Sequence, residues 1–295
     1  MLVPLLIYAR DHNIEAATAT LYLKRLGLPD ISLHPGYRLR VYTLGEFQVW
    51  RGRHFIPPGG WQRKSSRLLF QLLLSFYDEA LERDQIVEYL WPDLPYDKAR
   101  TNLKVALATL YNVLEPDRKP GGESAYIVRE GTFYRLRPEA DLWLDAREFL
   151  SIAGRLKTAP RPLPDALAAK LAKALDLYKG EFLPDARYEN WAAPLREQLV
   201  VQFLQAADAL SEYYLHKHRP HEAGALCQRI LACDNCWERA YRHLMMAYAQ
   251  LGDAGQVART FKRCAQALEE ELGIAPTAET RELYRRLIEE ARASL

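Results

Sequence analysis

The sequence contains few cysteines, and their positions do not suggest a disulfide framework. Four of the 295 residues are cysteine, and all four lie between positions 227 and 264. Cys233 and Cys236 have the C-x-x-C spacing of metal and redox sites, but a structural zinc site normally needs two such pairs. Cys227 and Cys264 fall where a helical repeat places buried residues. We therefore interpret the cysteines as small buried hydrophobic residues and keep a zinc protein as an alternative.

Long apolar runs are also missing, although 49% of the residues are hydrophobic. No run approaches the ~18 residues that a membrane-spanning helix needs. The apolar start of the chain, residues 1–7, lacks the basic flank and the small-residue cleavage site of a signal peptide. We therefore expect a cytoplasmic protein with no membrane partner.

Signatures of catalysis and of nucleotide binding are absent as well. No G-x-x-x-x-G-K-[ST] phosphate loop occurs, and Ser65 and Ser66 do not lie in a G-x-S-x-G elbow. No pair of carboxylates stands out for acid–base chemistry. The sequence therefore predicts a protein that is not an enzyme and that has no cofactor or metal.

Charge of one sign is not in large excess, because the formal net charge is +2. Its distribution is uneven, since Tyr37–Pro138 holds 16 Lys and Arg against 12 Asp and Glu. This modest excess has the sign that nucleic-acid binding requires. It is also small enough for an ordinary solvated surface.

The second half of the sequence contains a repeat. A shift of ~34 positions, the period of the tetratricopeptide repeat, aligns residues of similar type. The aligned pairs are Ala207 with Tyr241, Leu210 with Leu244, Tyr214 with Tyr248, Ala223 with Val257, Cys227 with Phe261, Arg229 with Arg263 and Ile230 with Cys264. The repeat predicts stacked antiparallel helices that present a surface to a partner.

The first half predicts a winged helix. Alternating apolar residues from Leu39 to Val49 indicate two strands, and three helical patterns follow. The predicted helices are Arg63–Tyr77, Gln85–Leu90 with Asp84 as its cap, and Tyr96–Leu114. Residues 126–128 and 133–136 then flank a turn and predict a β-hairpin. Strands, three helices and a hairpin follow one another in the order of a winged helix.

These patterns give a predicted architecture that is mainly α with a small β component. Residues 1–36 are expected to be a helical segment or linker, 37–140 a winged-helix domain, and 141–295 an all-helical repeat domain. The helices predicted in the last domain are 141–153, 165–179, 194–217, 221–232, 236–251, 254–271 and 277–293.

Motifs spread over residues 37–293 resemble one family. In the first half they are Leu44-Gly45 with Phe47, Lys64-Ser65-Ser66-Arg67-Leu68-Leu69, Leu90-Trp91-Pro92-Asp93 and Ala99-Arg100-Thr101-Asn102-Leu103. In the second half they are Tyr178-Lys179-Gly180-Glu181-Phe182-Leu183-Pro184, Trp191, Tyr241-Arg242-His243-Leu244-Met245 and Glu270-Glu271-Leu272-Gly273. The chain resembles SARP-type bacterial transcriptional activators, in which an OmpR-like winged helix precedes a bacterial transcriptional activator domain.

The resemblance implies sequence-specific binding of double-stranded DNA near promoters and recruitment of RNA polymerase holoenzyme. It also implies a nucleoid-associated location and a homodimer or tandem arrangement on DNA. Residues 1–30 depart from the short members of the family and look like the end of an upstream helical or sensor region.

Residues 96–114 have two helical faces. At ~3.6 residues per turn, an apolar stripe is expected in the core: Ala99, Leu103, Leu107, Leu110 and Leu114. The opposite face mixes polar residues with small apolar ones: Lys98, Thr101, Lys104, Val105, Ala108 and Asn112. Small residues allow close approach to the major groove, and methyl groups pack on thymine. An exposed helix with two ordinary apolar residues is the alternative.

With the resemblance, this helix is interpreted as the recognition helix. Lys104 and Asn112 are placed to read base edges, while Arg100 and Thr101 are better placed for phosphates. Lys98, Asn102, Val105 and Ala108 complete the predicted contacts on this helix.

Five more basic residues are candidate DNA contacts. Arg129, Arg135 and Arg137 lie on the predicted hairpin and suit phosphates or a narrow minor groove; edge-strand protection is the alternative. Arg63 and Lys64 lie at the start of the first long helix, where anions are attracted. Solubilising charge is the alternative there.

Two further functions stay open at this point. A protein-interaction adaptor would use the repeat as a scaffold and the winged helix as a protein-binding module that does not read DNA. A ligand-gated regulator would hold a nucleotide messenger or another small-molecule effector between the domains, with Arg147, Arg155 and Arg161 on its phosphates.

Overall fold

The computed structural model describes residues 2–293, and it divides into two compact units. The first unit is the chain up to Arg147 together with Lys179–Arg196. The second is Glu148–Tyr178 together with the chain from Glu197 onward. The domain limits 37–140 and 141–295 stay a prediction; residues 141–147 and 179–196, which they place in the second domain, belong to the first compact unit.

The first unit contains helices, strands and short 3₁₀ turns. Its helices are α1 (Leu2–Asp11), α2 (Ala16–Arg25), α3 (Lys64–Ser75), α4 (Arg83–Leu90), α5 (Tyr96–Leu114) and the start of α6 (Asp145–Ala153). Its strands are β1 (Leu39–Tyr42), β2 (Gln48–Arg51), β3 (His54–Phe55), β4 (Leu81–Glu82), β5 (Ile127–Glu130), β6 (Phe133–Leu136) and β7 (Leu142–Leu144).

A four-stranded sheet opens the winged helix, in the order β3-β2-β1-β7. Strand β1 pairs antiparallel with β2 and parallel with β7. Leu39 and Val41 point into the core, and their neighbours along β1 are half-buried. This alternation is what a strand with one buried face requires.

Strand β7 corrects the sequence prediction that a helix begins at Asp141. The chain is extended over Leu142–Leu144, and the helix begins at Asp145. The buried Asp145 carboxylate accepts hydrogen bonds from the backbone N–H groups of Thr43, Leu44 and Ala146 at 2.7–3.0 Å. These bonds hold the start of α6 against the end of β1.

A second sheet, in the order β4-β6-β5, carries the hairpin. Its short strand β4 leads into α4, whose N-cap is Glu82, so the prediction of Asp84 as the cap is wrong. The backbone N–H of Glu82 donates to Gln85 Oε1 at 2.9 Å, which is half of a capping box. Asp84 instead accepts a hydrogen bond from the Tyr96 hydroxyl at 2.7 Å.

Helices α3 and α5 build the core of the first unit. Leu69, Leu72 and Leu73 of α3 are buried, as their spacing predicts. The Phe70 ring lies against Trp61 and Phe47, with centroid distances of 5.9 and 6.5 Å. Large rings packed in this way exclude water from the base of the winged helix.

The N-terminal helices α1 and α2 form a hairpin with a small core of its own. Its buried members are Ile7, Leu23, Leu28 and Ile31. Much of the remaining apolar surface of the hairpin is exposed, including Leu5, at 64% exposure, and Leu21, at 49%.

The second unit is helical. Besides the end of α6, its helices are α7 (Asp165–Leu177), α8 (Ala193–His216), α9 (Pro220–Cys233), α10 (Glu238–Gln250), α11 (Ala254–Leu272) and α12 (Ala278–Ala293). Helices α8 and α9 occupy one copy of the predicted repeat, and α10 and α11 the next. Aligned residues such as Leu210 and Leu244, or Ala223 and Val257, are buried in both copies. The predicted fold class, mainly α with a small β component, is confirmed.

No helix among residues 2–293 is long and apolar enough to cross a membrane.

Candidate nucleic-acid interface

Helix α5 has the two faces that its sequence predicts. The apolar stripe is buried throughout: Ala99, Leu103, Leu107, Leu110 and Leu114. Its bounds, Tyr96–Leu114, are those predicted from the sequence. Helix α5 packs on α3 and α4 through this stripe. The opposite face of α5 therefore points away from the rest of the winged helix.

The outward face of α5 forms a continuous stripe. Its central residues, at alternating spacings of three and four, are all exposed: Lys98, Thr101, Val105, Ala108 and Asn112. At a rise of ~1.5 Å per residue they extend over about 21 Å. A stripe of this length can follow the major groove, whose width of ~12 Å admits a helix.

Several polar groups on this face have no partner within the protein. Among residues 2–293, the side chains of Lys98, Lys104 and Asn112 form no hydrogen bond or ion pair, and each is exposed. Thr101 differs, because its hydroxyl donates to the carbonyl of Asp97 at 2.8 Å. The free donors are therefore available to an external acceptor without breaking an internal contact.

The outward face changes character along its length. Its first half carries the exposed basic side chains of Lys98, Arg100 and Lys104. Its second half carries small or uncharged residues, and Val105 is 38% exposed. Cations next to small apolar groups match a surface of phosphates next to base edges with thymine methyls.

A buried carboxylate connects the end of α5 to the hairpin. Glu115, the residue after the helix, accepts hydrogen bonds from the Ser124 hydroxyl and from the Ala125 N–H, the latter at 2.8 Å. Burial raises the pKa of Glu115 above its usual value. Ser124 Oγ in turn accepts from the backbone N–H groups that open β5, Tyr126 and Ile127, both at 3.1 Å. We name Glu115, Ser124 and Ala125 the α5 clasp.

Two tyrosines support the clasp. The Tyr37 hydroxyl donates to the Leu114 carbonyl at 2.7 Å, and the Tyr126 hydroxyl donates to the Tyr37 carbonyl at 2.8 Å. Burial raises the pKa of Tyr37 to about 12. Both hydroxyls therefore remain protonated donors at neutral pH, and they orient the carboxyl end of α5.

The three hairpin arginines have different environments. Arg129 is exposed, and its Nε donates to the Gly131 carbonyl at 3.1 Å. Arg135 is half-buried and pairs with Glu130 at 2.8 Å. Arg137 has a side-chain exposure of 13% and binds the Ser124 carbonyl, Glu139 and Glu123. Arg137 therefore holds the loop before β5, which sets it apart from the other two.

Arg63 and Lys64 lie at the start of α3 and are both exposed. Neither side chain has a partner among residues 2–293. The neighbouring Arg67, which was not among the candidates, pairs with Asp185 of segment 179–196 and lies over the Phe47 ring at 5.2 Å. The basic residues at this helix start thus divide into two free side chains and one structural one.

The residues proposed from the sequence for a small-molecule effector or a metal do not lie on α5 or on the hairpin. Arg147 stacks on Tyr77 at 4.2 Å and pairs with Asp78, whereas Arg161 pairs with Glu212. The prediction that the cysteines are buried is wrong for Cys233, which is exposed, and Cys236 is half-buried. Cys227 and Cys264 are buried as predicted, and burial raises the pKa of each thiol to about 12. Such thiols are protonated at neutral pH and are poor nucleophiles and poor ligands.

Sequence reasoning missed the buried acids, Asp145 and Glu115, and the role of Arg67. Glu115 lies between a helix and Pro116, and nothing in its neighbours predicts burial. Its burial is evident only from the structure, because the donors that compensate the buried carboxylate, Ser124 and Ala125, lie in the loop before β5.

Comparison with known proteins gives three findings. Residues 144–288 match the model of a family described as the bacterial transcriptional activator domain. Regulatory protein AfsR of Streptomyces griseus is 25% identical over 252 residues, which make up 85% of this chain and 24% of that protein. This chain thus spans about a quarter of the length of that curated relative.

The third finding is a solved structure of Mycobacterium tuberculosis EmbR in complex with a low affinity phosphopeptide. It superposes with a TM-score of 0.67 and 20% sequence identity, covering 88% of this chain and 68% of that one. At this identity the likeness shows a shared fold.

Proposed function

We propose that this chain, a SARP-type transcriptional activator by its winged helix and its activator domain, binds specific sequences of double-stranded DNA through α5 and recruits RNA polymerase holoenzyme. The observation that carries the DNA proposal is the outward face of α5. Its basic and amide side chains are exposed and have no partner among residues 2–293, while the apolar stripe behind it fixes its direction.

In the proposed complex α5 lies in the major groove. Asn112 offers an amide that pairs with adenine in a bidentate manner, and Lys104 donates to guanine acceptors. Val105 and Ala108 lie between them along the helix, so their methyl groups face the bases. Lys98, Arg100, Thr101 and Asn102, near the start of the helix, contact the phosphates that border the groove.

Further phosphate contacts come from the hairpin and from the start of α3. Arg129, Arg63 and Lys64 are exposed, and Arg135 can exchange its surface pair with Glu130 for a phosphate, because an exposed ion pair contributes little. Arg137 has three acceptors within the protein already. We therefore assign it a structural role in place of the predicted DNA contact.

Recruitment of polymerase and dimerisation rest on the family and on the repeat. A single winged helix reads few base pairs, so two copies on adjacent half-sites are expected. Stacked helical pairs such as α8–α11 present extended surfaces that bind proteins. A transcription assay with purified polymerase holoenzyme on the selected DNA site, with and without this chain, tests recruitment.

The DNA proposal is tested by selecting duplexes from a random pool and measuring affinity for the winners at several salt concentrations. We expect an enriched direct repeat and a steep negative salt slope, because phosphate contacts release counterions. Lys104→Ala should weaken binding, while Lys262→Ala, an exposed lysine of α11, should not. Absence of any enriched sequence would contradict the proposal.

The repeat itself favours a second candidate, a protein-interaction adaptor. In that case Lys104→Ala and Arg135→Ala would leave binding of the protein partner unchanged, and neither variant would alter a DNA affinity that is weak from the start.

A further inference from the structure

A cavity of about 800 Å³ opens in the second compact unit, between the loop that precedes α7 and the side of α8. The loop is stiffened by three prolines, Pro160, Pro162 and Pro164. The volume lies in the range of ~300–1,000 Å³ that small-molecule sites occupy. Every residue of its lining belongs to this one unit.

The body of the cavity is apolar. Besides the prolines, Leu156, Ala159 and Leu163 line the loop side, and Ala209 and the Tyr213 ring line the α8 side. An apolar wall with an aromatic ring is suited to a flat hydrophobic group.

The rim is charged, and its two carboxylates each have two donors. Glu212 Oε2 accepts from Arg161 at 3.0 Å and from Arg239 at 2.9 Å. Either arginine can therefore leave while Glu212 keeps a charged partner. An exposed ion pair of this kind contributes little to stability.

The same arrangement recurs at Asp165. Its Oδ1 accepts from the Tyr213 hydroxyl at 3.0 Å and from Lys217 Nζ at 2.9 Å. Lys217 can turn away while Asp165 keeps the hydroxyl. The rim thus has spare donors, because a guanidinium has five N–H groups and an ammonium three, and each uses one here.

We propose that this cavity binds an amphipathic organic anion, with its apolar body against Ala209 and Tyr213 and its anionic group between Arg161 and Lys217. A cation is disfavoured because each rim carboxylate already has a cationic partner in the protein: Glu212 pairs with two arginines and Asp165 with Lys217. The proposal is independent of DNA binding, and it can fail while the DNA proposal holds.

Two probes that differ only in charge test the proposal on the full chain. Anilinonaphthalene sulfonate has an aromatic body and an anionic group, and phenylnaphthylamine has the same body without the charge. Fluorescence titration should give saturable binding of both, tighter for the sulfonate. Ala209→Trp fills the apolar body and should abolish binding of both probes.

The rim is tested by the double variant Arg161→Ala/Lys217→Ala. It should weaken binding of the sulfonate about tenfold, since each exposed charge contributes modestly, and leave phenylnaphthylamine unchanged. The rim side chains are 70% and 47% exposed, so this variant should fold even if Ala209→Trp does not. Circular dichroism and thermal unfolding establish folding for each variant.

The exposed apolar surface of α2 is the matched control, because such dyes also bind surface patches. Leu21→Glu/Leu26→Glu places two charges on and next to that surface and should leave binding of both probes unchanged. The proposal is overturned if this control abolishes binding, if folded Ala209→Trp binds as the wild type does, or if loss of the rim charges affects both probes equally.

Discussion

The outward face of α5 and the buried polar cluster of the second unit use polar side chains in opposite ways. On α5, Lys104 and Asn112 are exposed and have no partner among residues 2–293. In the cluster, Asp208, Ser211 and His243 are buried, and contacts within the protein hold each of them. Exposed polar groups are satisfied by water and remain free for a ligand, whereas buried ones must find partners in the fold. In this comparison, exposure leaves a polar side chain available for binding, whereas burial gives it a stabilising role.

Ser211 Oγ lies 2.8 Å from both the Asp208 carbonyl oxygen and His243 Nδ1. In the tautomer that carries its proton on Nδ1, His243 donates to Ser211 Oγ while the Ser211 hydroxyl donates to the carbonyl. Arg239 pairs with the Asp208 carboxylate at 3.2 Å. Burial and the nearby Arg239 and Arg242 lower the pKa of His243 to about 3, so the ring is neutral at pH 7.

The largest loss of folding stability is expected from a substitution in the buried cluster. Asp208→Ala removes the buried carboxylate that Arg239 and the His243 ring both face, although Arg239 keeps its pair with Glu212. Each buried polar group left without its partner costs about 1–3 kcal/mol. Chemical denaturation of the full chain should show this loss, while the folded fraction binds DNA normally. Glu212→Ala, on the same helix but 35% exposed, is the control and should lose far less. Equal losses in the two variants would contradict the assignment.

Substitutions on the outward face of α5 should have the opposite effect, weakening DNA binding with little change in stability. Asn112→Ala and Lys104→Ala should each weaken specific DNA binding by about 1–3 kcal/mol, because each removes a base contact. Thermal stability should change by no more than about 0.5 kcal/mol, since neither side chain has a partner in the part of the chain that the structure describes. Electrophoretic or fluorescence binding assays and thermal unfolding of the same samples measure both quantities. A variant that loses stability and keeps its DNA affinity would show that the replaced side chain stabilises the fold and does not contact DNA.

The α5 clasp combines the two behaviours, since it is buried but positions an exposed face. Glu115→Ala leaves the Ala125 N–H and the Ser124 hydroxyl without their acceptor, which should cost about 1–3 kcal/mol of stability. Glu115→Gln keeps a carbonyl acceptor and should retain most of the stability and the DNA affinity. Chemical denaturation and DNA-binding assays of Glu115→Ala and Glu115→Gln check this prediction. Equal loss in both variants would show that the charge, and not the acceptor, is needed.

The sequence predicts the parts of the molecule that depend on periodicity. The bounds of α5, its buried stripe and the repeat of α8–α11 follow from apolar spacing, because burial of one face dictates that spacing. Strand β7 was missed because three residues are too few to show a period. The clasp was missed because its donors lie about ten residues further along the chain. The DNA-contact residues stay predictions, because exposure shows availability and not occupancy.

The pH dependence of stability isolates the buried cluster. Because the folded-state pKa of His243 lies near 3, below its ordinary 6.5, the unfolded chain takes up a proton first as the pH falls. Stability is therefore complete above pH 6.5 and declines toward pH 3, by about 2 kcal/mol at pH 5. Glu115 and Asp145 act in the opposite direction, because burial raises the pKa of each. The difference between wild type and His243→Asn, from denaturation at pH 5 and pH 7, removes their contribution and should shrink as the pH falls. A difference independent of pH would contradict a neutral buried ring.

The smallest effects separate two arginines of the hairpin. Arg129 is exposed, donates to a turn carbonyl and lies over the Tyr134 ring at 5.7 Å, while Arg137 has three acceptors within the protein. Arg129→Ala should reduce the salt slope of DNA binding by about 0.9, the contribution of one phosphate contact, and lose about 0.5 kcal/mol of stability from the exposed cation–π contact. Arg137→Ala should leave the slope unchanged and lose about 1 kcal/mol of stability, because the Ser124 carbonyl loses its donor next to the clasp. Salt titrations of DNA affinity with thermal unfolding distinguish them. If Arg137→Ala lowers the salt slope instead, the Arg137 guanidinium exchanges its protein acceptors for a DNA phosphate. Hydrogen bonds within the protein would then not exclude a DNA contact.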